Sequence, residues 1–160
     1  MKRISGKTVI DLHVNGYIYH VAAYPFQTLL DVLRDELGLP GCRPGCENGD
    51  CGACTVLMDG WPMKSCLTLA VETIGHEITT IEGLANSPVI PLFAKYFAMQ
   101  CGYCTPGFVL VCHSLLAHYP NPSDYPIESW LQSNICRCTS YEEIGAALRE
   151  AIRIKQEEKI

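Results

Sequence analysis

Long apolar runs, clusters of basic residues and a signal-peptide core are all missing from this 160-residue sequence. No stretch approaches the roughly 20 apolar residues of a membrane-spanning helix, and the start, MKRISGKTVIDLHV, passes from two basic residues straight into an alternating pattern. The formal net charge is -5, and no basic stretch offsets it. These absences argue against a membrane, a secretory route and a nucleic-acid partner. We expect a cytoplasmic protein.

The sequence also lacks a phosphate-binding glycine loop, a dinucleotide-binding fingerprint and a recognisable acid–base pair. We therefore expect no catalytic residue on this chain. Cysteine, in contrast, is abundant, because the chain has ten. In a reducing compartment so many cysteines indicate metal or redox chemistry, whereas a disulfide framework is typical of small secreted domains.

The first cysteine set lies in a stretch that begins GCENGDCGAC. Its spacing, CxxxxC then xxC and a distant fourth cysteine, is that of a plant-type [2Fe-2S] ferredoxin loop. The four residues are Cys46, Cys51, Cys54 and Cys66. Three glycines, Gly45, Gly49 and Gly52, are expected to take positive φ and to bring backbone amides close to sulfur. A structural zinc site usually pairs two short knuckles and matches this spacing less well.

The second set consists of QCGYC, at residues 100–104, and of Cys136-Arg137-Cys138. Thr105 and Thr139 follow the two pairs and are expected to cap the next helices, which would place four thiolates near positive helix-dipole ends. A thioredoxin-like dithiol is less favoured, because that motif follows a strand and the residues before Cys101 have a helical pattern. A zinc site built from both pairs stays open at this point.

Two cysteines, Cys42 and Cys112, fall outside both sets and are expected to pack as small apolar side chains. The five histidines are scattered along the chain, and none is paired with cysteine as in a Rieske centre. Surface or packed positions are expected for all five.

The first half of the chain predicts a small sheet packed on one helix, a β-grasp-like arrangement. The expected strands cover residues 8–14, 17–21, 55–58, 62–66 and 78–81. Asn15-Gly16 and Asp59-Gly60 predict hairpin turns between them. Thr28 and Asp31 form a predicted capping box for a helix that ends at Gly38.

The second half predicts four helices, which begin near residues 89, 105, 123 and 140. The first has an apolar stripe, and its expected members are Leu92, Phe93, Tyr96 and Phe97. Pro120 and Pro122 are expected to end the second helix, and Ser140 with Glu143 to cap the last. The predicted fold class is α+β. It comprises an N-terminal β-grasp, plant-type ferredoxin-like domain over residues 1–82 and a C-terminal four-helix-bundle [2Fe-2S] domain over residues 83–160.

With GCENGDCGACTV, QCGYCTPG and NICRCTSY in this order, the sequence resembles the iron–sulfur subunit of the molybdenum hydroxylases, the xanthine dehydrogenase family. The resemblance covers essentially the whole chain and implies two [2Fe-2S] clusters. By this resemblance the metal ligands are Cys46, Cys51, Cys54 and Cys66 for the first cluster, and Cys101, Cys104, Cys136 and Cys138 for the second. The chain departs from the usual family pattern at Ser133, Ile135 and Ser140, none of which is a ligand position.

The resemblance also implies partners. In that family the helical-domain cluster lies next to the molybdopterin of a large subunit, and the ferredoxin-domain cluster lies on the side of the flavin or another acceptor. Gln100 matches the glutamine that hydrogen-bonds the pterin, and Cys138 matches the ligand nearest to the pterin amino group. We therefore expect a large molybdopterin-binding subunit and an FAD-binding medium subunit, with molybdopterin and FAD bound on those partners.

The expected function is electron transfer from the molybdenum centre through two clusters to FAD or another acceptor. The main alternative is a free-standing ferredoxin-type electron shuttle, although a shuttle would have no use for a second domain of apolar helices. A zinc-binding interaction module is a third possibility. Neither the substrate of the complex nor its final acceptor is encoded in this chain.

Overall fold

The computed structural model describes residues 6–119, 121 and 123–157, with the backbone alone for residues 124 and 125. Pro120 and Pro122, the expected end of the second helix, lie outside the described residues. A five-stranded sheet occupies the first half of the chain and four helices the second. The predicted α+β class, with strands before helices, is confirmed.

Two hairpins and one further strand build the sheet. Strands β1 (Thr8–Val14) and β2 (Tyr17–Ala23) form the first hairpin, in which Asn15 and Gly16 both have positive φ, as its tight turn requires. Strands β3 (Thr55–Met58) and β4 (Trp61–Lys64) form the second. Strand β5 (Glu77–Thr79) lies between the hairpins, parallel to β1 and antiparallel to β3.

The predicted bounds of β4 and β5 were wrong by one or two residues. Strand β4 ends at Lys64, so that Cys66 lies in the turn that follows and not in the strand. Strand β5 begins at Glu77 and ends at Thr79 because residues 81–84 form a 3-10 turn. The turn position of Cys66 directs its sulfur towards the cysteine loop.

The helix beside the sheet begins with the predicted capping box. The Asp31 N–H donates to Thr28 Oγ1 and the Thr28 N–H to Asp31 Oδ2, each at 3.1 Å. The predicted helix is present, and helix α1 (Leu29–Asp31) continues as a π-helix (Val32–Glu36). Gly38, at φ +68°, follows its end.

The second half contains helices α2 (Val89–Lys95), α3 (Thr105–His118), α4 (Asp124–Leu131) and α5 (Tyr141–Glu157). Leu92 and Phe93 of α2 are buried, as predicted. Phe97 is a correction to the predicted stripe, because the helix ends at Lys95 and Phe97 has φ 54° and a side chain that is 79% exposed.

Each half has its own apolar core. The first core lies between the sheet and the π-helix, and the second among the four helices. The two halves also share an interface, because α3 packs against β3 and β4. There Ser114 Oγ donates to the Gly60 carbonyl at 2.5 Å, and the ring centroids of Trp61 and His118 are 3.8 Å apart. In the described residues no helix is both long and apolar enough to span a membrane.

Candidate metal centres

The ferredoxin-like half brings its four predicted ligands together as two pairs. In one pair the Cys51 N–H donates to Cys46 Sγ at 3.3 Å. Backbone N–H groups of Cys51 and then Asn48 lower the pKa of Cys46 to about 7, which favours the thiolate. In the other pair Cys54 and Cys66 are hydrogen-bonded, and burial followed by that bond raises the pKa of Cys66 to about 11.

The glycines of the cysteine loop leave room beside these sulfurs. Gly49 and Gly52 have φ of 90° and 71°, as predicted. The same prediction was wrong for Gly45, whose φ is not positive. Space explains this glycine instead, because a Cβ at Gly45 would lie only 2.5 Å from Cys51 Sγ. The loop therefore keeps side chains away from the ligand sulfurs.

The helical half brings two distant cysteine pairs together. Cys101 Sγ and Cys138 Sγ are 3.6 Å apart. Cys104 and Cys136 are hydrogen-bonded, and burial followed by that bond raises the pKa of Cys104 to about 12. The Thr139 N–H donates to Cys136 Sγ at 3.3 Å. Cys104 lies at a helix start, as predicted, whereas Cys136 and Cys138 lie in the loop before α5.

Neither Thr105 nor Thr139 caps a helix, although both were expected to do so. Cys104 occupies the N-cap position of α3 because the cysteine loop turns directly into the helix, and Thr105 is already helical. The buried hydroxyl of Thr105 has no hydrogen-bond partner in the described part of the chain. At α5 the cap is Ser140, as predicted, and not Thr139. Its Oγ accepts from the Glu142 N–H at 3.2 Å, and its hydroxyl donates to the Glu143 carboxylate.

The arrangement in pairs fits a binuclear centre. A [2Fe-2S] cluster takes four cysteine thiolates, two on each iron, and its sulfurs accept backbone N–H hydrogen bonds. The donor chemistry, the N–H groups aimed at sulfur and the glycine space all match a cluster in each half.

A buried polar contact joins the two centres. The Ile135 N–H donates to the carbonyl of Cys51 at 2.9 Å, directly linking the two cysteine loops. Asn134 is fully buried, and its Nδ2 donates to the Gly52 carbonyl at 3.1 Å. Lys64 Nζ donates to the Ser133 carbonyl at 2.6 Å and to Asn134 Oδ1 at 3.2 Å.

A cavity of about 350 Å³ also lies between the centres. Its lining includes Cys46 and Cys51 from one set and all four cysteines of the other. Sequence reasoning missed Lys64 and Asn134 at this joint, because neither belongs to a spacing pattern. The available signal was weak: each lies two residues before a predicted ligand cysteine.

The predicted pterin-contacting residues lie on the outside of the helical half. Gln100, Cys101 and Cys138 are all exposed, whereas Cys54 and Cys66 of the other set are buried. Large apolar side chains that are also exposed occupy the same loops. They are Phe97, Met99, Tyr103 and Ile135.

The remaining cysteines are buried, as predicted. Burial raises the pKa of Cys42 to about 12 and also raises that of Cys112. Both are therefore protonated packing residues at neutral pH. Among the histidines, His20 Nδ1 lies 2.6 Å from Asp11 Oδ1 at the surface.

Comparison with known proteins agrees with this geometry. Residues 12–75 match the family described as "2Fe-2S iron-sulfur cluster binding domain", and residues 80–149 match "[2Fe-2S] binding domain". The nicotine 6-hydroxylase small subunit of Paenarthrobacter nicotinovorans is 43% identical over 92% of this chain and 91% of its own length. The chain belongs to the iron–sulfur subunits of the molybdenum hydroxylase, or xanthine dehydrogenase, family.

Other members support the assignment. The nicotinate dehydrogenase small FeS subunit of Eubacterium barkeri is 41% identical over 91% of this chain and 96% of its own length. The crystal structure of quinoline 2-oxidoreductase from Pseudomonas putida 86 contains a chain with a TM-score of 0.89 and 38% identity, covering 98% of this chain and 100% of that one. As a member of this family the protein carries two [2Fe-2S] clusters and transfers electrons within a multi-subunit oxidoreductase.

Proposed function

We propose that the four cysteines of each half ligate one cluster. The ferredoxin-domain cluster is held by Cys46, Cys51, Cys54 and Cys66, and the helical-domain cluster by Cys101, Cys104, Cys136 and Cys138. The paired sulfurs, with the N–H groups at Cys46 and Cys136, support this assignment. Each bound cluster takes up and releases one electron. We keep the proposed domain boundary between residues 82 and 83, which lies within the 3-10 turn of residues 81–84.

The helical half is the side that meets the molybdopterin-binding subunit. Cys101 and Cys138 are exposed together, and exposed apolar side chains lie in the loops beside them. An apolar surface at a redox centre suits a permanent partner better than water. Gln100 is exposed beside Cys101, and its amide can both donate to and accept from a pterin edge.

The ferredoxin-like half passes electrons onward to FAD on a medium subunit or to another acceptor. This direction rests on family resemblance and on the hydrogen bond from the Ile135 N–H to the Cys51 carbonyl, which links the two cysteine loops. We also propose a cytoplasmic location, because none of the ten cysteines forms a disulfide.

The free-standing shuttle is the alternative function. Isolation of the native complex through a tag on this chain separates the two ideas. The small-subunit function predicts about four irons and four acid-labile sulfides per chain, with molybdenum and a large subunit in the same fraction. A shuttle would elute alone with its iron, and recovery of the chain without molybdenum or a second polypeptide would contradict the proposal.

Gln100→Ala tests the placement of the pterin. We expect both clusters to remain, while the complex retains less molybdopterin or reduces its helical-domain cluster more slowly with substrate. Gln132→Ala is the matched control, because Gln132 is another exposed glutamine of the helical half. Full cofactor content and wild-type reduction rates in Gln100→Ala would show that Gln100 does not contribute to the pterin site.

A further inference from the structure

Lys64 holds a positive charge at the joint between the two centres. It is the last residue of β4, and its side chain is partly buried. Its Nζ lies 2.6 Å from the Ser133 carbonyl oxygen, 3.2 Å from Asn134 Oδ1 and 3.4 Å from Thr55 Oγ1. The described partners of this nitrogen are therefore all neutral oxygens.

This environment suits the protonated form. A lysine ammonium has three N–H donors and no acceptor. Three oxygen acceptors surround Nζ, so each N–H has a partner, whereas a neutral amine would direct its lone pair at one of these oxygens. Because the partners carry no charge, the positive charge of the ammonium is not cancelled by them.

The ammonium lies against the ferredoxin cysteine loop. A Cβ at Gly52, between Cys51 and Ala53, would be only 2.8 Å from Lys64 Nζ. Thr55, another partner, directly follows Cys54 in the chain.

We propose that the Lys64 ammonium stabilises the reduced state of the ferredoxin-domain cluster and thereby makes it a better electron acceptor from the helical-domain cluster. The step moves one electron: the helical-domain cluster is oxidised and the ferredoxin-domain cluster is reduced, with no bond made or broken. A cation close to the acceptor offsets the added negative charge, and a partly buried charge is poorly screened by salt. The inference rests on the proposed ligand assignment.

The test is a redox titration of the whole complex, followed by the electron paramagnetic resonance signals of the two clusters. Lys64→Met removes the charge at similar length, Lys64→Gln removes it but keeps a hydrogen-bond donor, and Lys64→Arg keeps the charge. Lys95→Met is the matched control, since Lys95 is exposed and paired with Glu150 at 3.2 Å.

In Lys64→Met and Lys64→Gln we expect the ratio of reduced to oxidised ferredoxin-domain cluster at a fixed potential to fall about tenfold, a shift of about 59 mV for a one-electron couple. The potential of the helical-domain cluster should shift less. In Lys64→Arg the potential of the ferredoxin-domain cluster should stay near the wild-type value, and in Lys95→Met both potentials should be unchanged. A neutral variant with the wild-type potential, or an arginine variant that shifts as far as methionine does, would overturn the proposal. An error in the ligand assignment would show separately, as a Cys51→Ser variant that keeps the ferredoxin-domain signal.

Discussion

The two halves assemble their cysteine sets by different means. In the ferredoxin-like half three of the four proposed ligands lie in one short loop, from Cys46 to Cys54, whose glycines and N–H groups shape the site locally. In the helical half the two pairs come from separate loops, and the helix packing brings Cys101 to Cys138 and Cys104 to Cys136. Joining distant segments costs closure entropy, so the second centre depends more on the tertiary fold.

The two sets also differ in exposure. Cys54 and Cys66 are buried, whereas Cys101 and Cys138 are exposed. A buried site is insulated by its own chain, but an exposed one needs a partner to exclude water. We therefore propose that a partner subunit covers the exposed cysteines of the helical half.

The largest expected effect is the loss of one cluster at a time. Cys51→Ser should remove the ferredoxin-domain paramagnetic signal and leave the other, because each set has its own core. Cys136→Ser should do the reverse, and iron should fall from about four to about two per chain in each variant. Cys112→Ser is the control, since Cys112 is buried outside both sets. Loss of both signals from either ligand variant would mean that the two halves form one cooperative unit.

A smaller effect is expected where the halves meet. Asn134→Ala removes a buried amide and leaves the Gly52 carbonyl without this partner, which should lower the free energy of unfolding by about 1 to 3 kcal/mol. Urea unfolding measures the change. Asn121→Ala is the control, because Asn121 is exposed and its Oδ1 accepts a surface hydrogen bond from Gln156 Nε2 at 3.0 Å. Equal stability of the two variants would show that the joint contributes little.

Two glycines of the helical half should respond in opposite directions to alanine. A Cβ at Gly107 would collide with the Gly52 carbonyl, so Gly107→Ala should destabilise the protein by about 1 to 3 kcal/mol. Gly145 lies inside α5, and its nearest atom would be Arg149 Nη1 at 3.1 Å, the tip of a flexible side chain. Gly145→Ala should therefore stabilise by about 0.4 to 1 kcal/mol. Chemical denaturation that ranks the two variants the other way would contradict the tight contact between halves.

The smallest effect concerns pH and the helical half alone. Burial, followed by the charge of Lys155, lowers the pKa of His113 below its ordinary value of 6.5. The folded protein therefore favours the neutral imidazole. Its contribution to the free energy of unfolding is complete above about pH 6.5 and falls as the pH drops below that value. His113→Asn should make the melting temperature less sensitive to pH between about 7.5 and 5.5. An unchanged pH dependence of the melting temperature in His113→Asn would rule out His113 as the cause.

The local features were the predictable ones. The two residues Asn15-Gly16 are enough to predict the first hairpin. The spacing from Cys46 to Cys54 predicts a loop whose geometry is set by its own sequence. The start of the last helix followed from its predicted cap, because Ser140 contacts Glu143 and accepts from the Glu142 N–H. Each of these signals depends on neighbours in sequence.

The features that could not be predicted depend on contacts across the chain. Lys64 and Ser133 meet because the helical half packs against the second hairpin, and no pattern in either segment indicates this. Phe97 was assigned to the core because its spacing suited a helix, yet the chain leaves α2 two residues earlier to bring Cys101 to Cys138. Gly45 was given a backbone reason when its actual constraint is the nearby Cys51 sulfur.

Rapid-freeze electron paramagnetic resonance of the assembled complex, mixed with substrate, tests most directly whether the two clusters work in series. In a complex with Cys51→Ser we predict that substrate still reduces the helical-domain cluster while the final acceptor stays oxidised, because the next centre is missing. The Cys112→Ser complex should reduce its acceptor at the wild-type rate. Reduction of the acceptor at that same rate in the Cys51→Ser complex, with the ferredoxin-domain signal absent, would contradict the series.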